Sequence, residues 1–234
     1  MALLKTSAAL GLLDMFPLFR CSDCASQIRR TFGSCYNNVV EHCTNIPVSF
    51  DFGAVFLDRD GVLNEKMPEG RYVASLADFH LLPGVAESIV RLNQAGVLVL
   101  VVSNQRGIAL GLYNAADVDA IHFSLQNLLA HRGAHVDGFY FCPHDNGQCN
   151  CRKPLSGLFE QAATEFPEID AAASVMIGDS LSDIEFGQNL GMLTVFIEGD
   201  PERQKPGSEA AMKLANLRFS SLSQAVNHLL GPQA

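Results

Sequence analysis

The sequence predicts an α/β fold, a parallel sheet with helices on both faces. From about residue 50 onward, short strand-like apolar stretches alternate with helix-like ones, the pattern of βαβ units. The residues able to do chemistry lie at or after the ends of the expected strands, where open parallel sheets present their ligand crevice.

The first strand is expected at 53–58, where Gly53-Ala-Val-Phe-Leu57 runs into Asp58-Arg59-Asp60-Gly61. A helix over 84–95 is opened by Pro83-Gly84 and closed by Ala95-Gly96, the usual punctuation of helix ends. Val97–Val102 is strand length and rich in β-branched residues, so a strand is expected over 97–103. Gly133 follows the last turn of a helix over 115–132. Strands at 138–142, 173–178 and 193–197 and helices at 156–166, 182–190 and 219–230 complete the pattern. The linkers are too short to hold a large inserted lid domain.

A chain of 234 residues suits one domain plus an appendage. At 48% hydrophobic and 18% charged, its composition is ordinary for a soluble protein. No apolar run approaches the roughly 20 residues that a membrane helix needs. The net charge of −9 argues against affinity for nucleic acid or an anionic membrane, and with it against repair of nucleic-acid ends. An anionic substrate remains open, because a bound divalent cation reverses the local field.

Residues 1–47 read as an extension and 48–234 as the functional domain. The apolar start hints at a signal peptide, but Asp14 and Pro17 interrupt it and no small-residue cleavage site follows. Among Cys21, Cys24, Cys35 and Cys43, only Cys21-x-x-Cys24 has the spacing of metal ligands. The expected compartment is the reducing cytoplasm, because the cysteines crowd at 142–151 as a metal cluster does rather than as a disulfide framework.

Four strand ends carry chemistry. Asp58 and Asp60 are separated by one residue, so an extended chain turns both carboxylates toward one space. Such a pair can bind a hard cation, or one can attack while the other handles a proton. Gly61 makes the alternative an acidic turn. Ser103 and Asn104 offer a hydroxyl and an amide to a phosphate oxygen. Arg152 and Lys153 bring a bidentate fork and a point charge. In Gly178-Asp179-Ser180-Leu-Ser-Asp183, the glycine lets a backbone approach closely, Asp179 adds a third carboxylate, and Asp183 stands at a helix start.

Cys142-Pro-His144 and Cys149-Asn-Cys151 flank a four-residue loop, Asp145 to Gln148. Single-residue spacing turns both ligands of each pair to one side. Together they can make a closed Cys₃His zinc site, structural rather than catalytic, that would fix the loop ending in Arg152-Lys153; the alternative is a set of buried or redox cysteines.

Paired Asp, then Ser, then Lys, then Gly-Asp-x3-Asp, each after a strand, resembles the haloacid dehalogenase superfamily of phosphohydrolases over about residues 50–200. The resemblance implies a Rossmann-like sheet without a large cap. It implies Asp58 as the nucleophile that forms an aspartyl-phosphate, and Asp60 as the acid and then base, protonated at first because the neighbouring charge of Asp58 raises its pKa. Ser103 and Lys153 would hold the phosphoryl group, and Asp183 would orient Lys153 or a metal-bound water. Mg²⁺ would sit between Asp58, the main-chain carbonyl of Asp60 and Asp179.

Within the superfamily, the cluster followed by Cys-Arg-Lys-Pro resembles two branches, the heptose-1,7-bisphosphate 7-phosphatases and the histidinol-phosphate phosphatases. Asn104-Gln105-Arg-Gly107-Ile108-Ala-Leu-Gly111, Tyr72-Val73 and Phe79 look like the heptose branch, with Leu110 where that branch usually has arginine. The short zinc loop is closer to the other branch. Arg152 is the candidate for substrate recognition, with selectivity in loops 65–75, 104–112 and 142–153. The expected partner is a small phosphorylated sugar or amino-alcohol, bound by a monomer. A different reading is a zinc-stabilised binding module without turnover.

Overall fold

Six parallel strands form one sheet in the order β3-β2-β1-β4-β5-β6. They are β1 (Ala54–Leu57), β2 (Leu98–Asn104), β3 (Gly138–Cys142), β4 (Ser174–Gly178), β5 (Leu193–Ile197) and β6 (Leu217–Phe219). The computed structural model describes residues 52–231 apart from 69 and 205. The expectations for residues 1–47 therefore lie outside the described residues.

The helices are α1 (Val85–Gln94), α2 (Ala115–Ala130), α3 (Gly157–Glu165), α4 (Leu181–Leu190), α5 (Ser208–Leu214) and α6 (Leu222–Leu230). Alternation along β1 builds both cores. Val55 and Leu57 pack with Ile89 of α1, Leu125 of α2 and Val226 of α6. Ala54 and Phe56 face the other way, onto Leu158 of α3 and Phe186 of α4. A strand buried on both faces reads as a continuous apolar run, as Ala54–Leu57 does.

Local signals place the helix ends. Asn114 and Asp117 form a reciprocal capping box at the start of α2, with Asn114 N donating to Asp117 Oδ2 at 2.8 Å and Asp117 N donating to Asn114 Oδ1 at 3.2 Å. Gly191, at φ 77°, closes α4 in a left-handed conformation that costs glycine little.

The five expected strands and five expected helices fall short in one region. β6 and α5 were not foreseen, and the last helix starts at Leu222 rather than 219. β6 is a three-residue edge strand, half-buried and without a long apolar run, so it leaves little periodicity to read. Ser221 caps α6 by accepting a hydrogen bond from Gln224 N at 3.3 Å, which sets that later start.

The strand order changes direction between β1 and β4, the one place where neighbouring connections leave to opposite sides. There the C-terminal edge of the sheet opens into a crevice. Leu57 pairs with Ile177, which sets Asp58 opposite Gly178 and next to the following Asp179. Among the described residues, no helix is long and apolar enough to cross a membrane.

Candidate active site

Asp58, Asp60, Ser103, Asn104, Arg152, Lys153 and Asp183 line a cleft of about 260 Å³ at this edge, together with Tyr72, Arg106, Ser180 and Ser182. Asp58 N donates to Ile177 O at 2.9 Å, which ties the end of β1 to β4. Asp58, Asp179 and Asp183 are buried and can offer carboxylate oxygens that all lie within 4.8 Å of one another. Close, dry carboxylates of this kind fit a hard divalent cation.

Lys153 stands at the centre. Its ammonium is 2.9 Å from Asp58 Oδ1 and 2.6 Å from Asp183 Oδ1, and it donates to Val102 O at 2.6 Å. Burial works against its charge, but Asp183 and Asp58 outweigh burial and lift its pKa above the ordinary lysine value. Asp183 serves the backbone as well, since its Oδ2 accepts from Ser180 N at 3.0 Å at the start of α4. Asp183 thus stands both at the helix start and against the Lys153 ammonium.

Two glycines permit the convergence. A Cβ on Gly178 would lie 2.2 Å from Asp183 Cβ, so only glycine lets α4 begin this close to β4. A Cβ on Gly61, at φ 103°, would lie 2.0 Å from Asp179 Oδ2. Gly61 thus supplies both the left-handed turn after Asp60 and the room for the third carboxylate.

Asp60 differs from expectation. Its carboxylate receives Arg59 Nη2 at 2.9 Å, Asn64 Nδ2 at 3.0 Å and Gln105 Nε2 at 3.1 Å. Burial would raise its pKa, but the Arg59 charge and these hydrogen bonds outweigh burial and hold it below the usual carboxylate value. The sequence-based expectation was a pKa raised by Asp58. The guanidinium of Arg59, fully buried beside it, reverses the sign. The side chain of Asp60 stands outside the three-carboxylate group; the expectation gave the metal only its main-chain carbonyl.

Asn104 also plays a different part. Its Nδ2 donates to Lys153 O at 3.0 Å, and its Oδ1 accepts from Lys153 N at 3.0 Å. Both ends of the amide hold the lysine backbone, so the side chain positions Lys153 instead of standing free for phosphate. Ser103 is buried in the cleft wall, where its Oγ accepts from Gln105 Nε2 at 2.7 Å.

Cys142, His144, Cys149 and Cys151 come together as expected. Cys142 Sγ lies 3.5 Å from Cys149 Sγ and 3.7 Å from His144 Nδ1; Cys151 Sγ lies 3.4 Å from each of Cys149 Sγ and His144 Nδ1. A tetrahedron with ordinary Zn–S and Zn–N bonds has edges of about 3.5–3.8 Å. The four side chains therefore fit zinc, with His144 Nδ1 the ring nitrogen that faces the sulfurs. The tip of this loop holds two guanidiniums at the cleft. Arg106 grips Asp145 with Nε at 2.6 Å and Nη2 at 3.2 Å, and Arg152 Nε donates to Asn146 Oδ1 at 2.7 Å.

Sequence reasoning passed over Arg59, Lys66, Arg106 and Tyr113 as site residues. Arg59 anchors Asp60, and Tyr113 OH donates to Gln105 Oε1 at 2.7 Å, steadying the amide that reaches both Asp60 and Ser103. The one available signal was Arg106 itself, a cation inside the Asn104–Gly111 motif.

The HAD-hydrolase-like family profile matches residues 150–220. The chain is 38% identical over 181 residues to the D-glycero-alpha-D-manno-heptose-1,7-bisphosphate 7-phosphatase of Mycobacterium bovis, covering 76% of this chain and 93% of that protein. It is 35% identical to the D-glycero-beta-D-manno-heptose-1,7-bisphosphate 7-phosphatase of Vibrio cholerae, covering 76% and 96%. The crystal structure of D,D-heptose 1,7-bisphosphate phosphatase from B. bronchiseptica, complexed with magnesium and phosphate, superposes with a TM-score of 0.66 at 30% identity, covering 76% of this chain and 97% of that one. With this likeness across nearly the whole length of each relative, and with the strand-end carboxylates and buried lysine on one sheet edge, the chain is a phosphatase and belongs to the haloacid dehalogenase-like hydrolases, in the family of the heptose-bisphosphate phosphatases.

Proposed function

We propose that residues 48–234 form a Mg²⁺-dependent phosphomonoesterase that removes the 7-phosphate of D-glycero-D-manno-heptose 1,7-bisphosphate through an aspartyl-phosphate on Asp58. The observation that carries this reading is the buried Lys153 ammonium shared between Asp58 and Asp183, beside Asp179. A nucleophile, an anchor for the phosphoryl oxygens and a cation-binding carboxylate group thereby meet at one edge of the sheet.

In this reading a carboxylate oxygen of Asp58, ionised at neutral pH, attacks phosphorus, and the bond from phosphorus to the sugar oxygen breaks. Asp60 gives its proton to that leaving oxygen. The incoming phosphate ester adds negative charge beside Asp60 and raises its pKa from the low value set by Arg59. In the second step Asp60 takes a proton from the water that attacks phosphorus, which releases phosphate and restores Asp58. Ser103 and Lys153 hold the phosphoryl oxygens, with Asn104 holding Lys153. Mg²⁺ bound by Asp58, Asp179 and the Asp60 carbonyl supplies positive charge to those oxygens.

The second phosphate of the substrate calls for cations at the rim. Arg152 and Arg106, both tied to the zinc loop, supply two forks there. Arg106 lies one helical turn before Leu110, with Leu110 N donating to Arg106 O at 3.2 Å. It offers a guanidinium close to where the heptose branch usually carries one. Zinc on Cys142, His144, Cys149 and Cys151 fixes that loop, and the enzyme works as a monomer in the cytoplasm.

The test is phosphate release from the alpha and beta anomers of heptose 1,7-bisphosphate and from histidinol phosphate, measured side by side. The reading expects a bisphosphate to have the highest kcat/KM. Preference for histidinol phosphate, the alternative that the four-residue zinc loop favours, would replace the substrate and keep the chemistry. Asp58→Asn is expected to abolish turnover with the fold intact; full activity in that variant would remove the proposed nucleophile.

A further inference from the structure

Lys66, in the loop after β1, meets Asp179 outside the lining of the substrate cleft. Its side chain is 9% exposed and its ammonium is paired with Asp179 Oδ2. Asp179 is also one of the three buried carboxylates that fit a divalent cation. A single carboxylate therefore faces two cations, one tethered to the chain and one exchangeable.

The surroundings give the tethered cation somewhere to go. Lys66 and Asp179 line a second cleft, of about 190 Å³, whose wall carries Glu65, Glu198 and Asp200. The main chain of Lys66 is held in place there: Arg203 Nη1 donates to Lys66 O at 2.7 Å, and Arg203 is paired with Asp200 at 3.4 Å and with Glu65 at 3.5 Å. With the backbone pinned, the flexible four-carbon stem can carry the ammonium away from Asp179 without moving the loop.

The charges define the effect. Lys153 and Lys66 balance two of the three charges on Asp58, Asp179 and Asp183. A divalent ion arriving at Asp179 meets Lys66 as a like charge in a poorly screened, buried setting. Removing Lys66 leaves the carboxylate group more negative, which strengthens cation binding and weakens the metal-free fold.

We propose that Lys66 is a built-in competitor for the divalent cation at Asp179: its ammonium neutralises the carboxylate group in the metal-free protein and gives way toward Glu198 and Asp200 as the metal binds. This rests on the reading of Asp58 and Asp179 as the metal site. Lys66 is a positioning residue, acting through Asp179 and not on the substrate.

The experiment titrates Mn²⁺ into the full chain and follows free Mn²⁺ by electron paramagnetic resonance. Lys66→Met and Lys66→Gln are expected to bind Mn²⁺ about tenfold more tightly than the parent, and Lys66→Arg to bind as the parent does. In chelator, Lys66→Met is expected to melt below the parent, with the gap closing at saturating Mg²⁺. Equal or weaker Mn²⁺ binding in both neutral variants overturns the proposal. Asp179→Asn is the control: loss of Mn²⁺ binding supports the metal site, and unchanged binding overturns that site and the proposal together.

Discussion

The Lys153 ammonium stands 2.6 Å from Asp183 Oδ1, and each side chain is only 1% exposed. A pair this deep is costly to desolvate, and removing one partner strands the other. Asp183→Asn keeps the size and the helix-start contact to Ser180 but drops the charge. We expect unfolding in urea to show a loss of about 3 kcal/mol, with phosphate release falling alongside. Parental stability and activity would mean that Asp58 alone balances the lysine.

Gly61→Ala tests the convergence of carboxylates. The added methyl would meet Asp179 Oδ2 at 2.0 Å, at a backbone φ of 103° that alanine rarely adopts. We expect weaker Mg²⁺ binding by calorimetry and a stability cost of at least about 1 kcal/mol. Unchanged metal affinity would show that Asp179 moves aside freely.

The zinc loop ties both rim guanidiniums to the cleft through Asp145 and Asn146. Elemental analysis should find one zinc per chain, lost in Cys149→Ser. The variant is expected to lose on the order of a hundredfold in kcat/KM, because small displacements of positioning groups are expensive. Parental kinetics in a zinc-free variant would uncouple the loop from the site.

His122 makes stability depend on pH. Its ring stacks on Phe139 with centroids 4.5 Å apart, and its Nε2 is buried without a hydrogen-bond partner among the described residues. Burial, helped by the Arg59 charge, pushes its pKa down from 6.5 to about 3. Between those values the unfolded chain binds a proton that the folded chain does not. His122 therefore costs no stability above about pH 6.5 and costs about 1.4 kcal/mol per pH unit as pH falls toward 3. Urea unfolding from pH 7 to pH 4 should be less steeply pH-dependent in His122→Leu than in the parent; identical slopes would reject the assignment.

Much of the site was legible because its signals are local. Asp58 and Asp179 each end an apolar run, with Gly61 three residues after the first and Gly178 just before the second, and Cys142, His144, Cys149 and Cys151 fall within one short segment. Arg59 was not legible. Strand periodicity turns it away from Asp58, and only the turn of the chain at Gly61 lets it chelate Asp60. Lys66 reads as an ordinary surface cation, because a charge in a polar loop carries no mark of the carboxylate it will meet.

The chain by itself determined which chemical groups exist and that they follow strands, since hydrophobic period and strand-end composition are properties of neighbouring residues. Partnership was decided by tertiary structure alone. Residues 58, 153, 179 and 183 meet because β1 and β4 lie side by side in register and Asn104 holds Lys153 between them. The inversion of the expected Asp60 pKa has the same origin: electrostatic energy depends on distance through space, and folding is what converts separation along the chain into that distance.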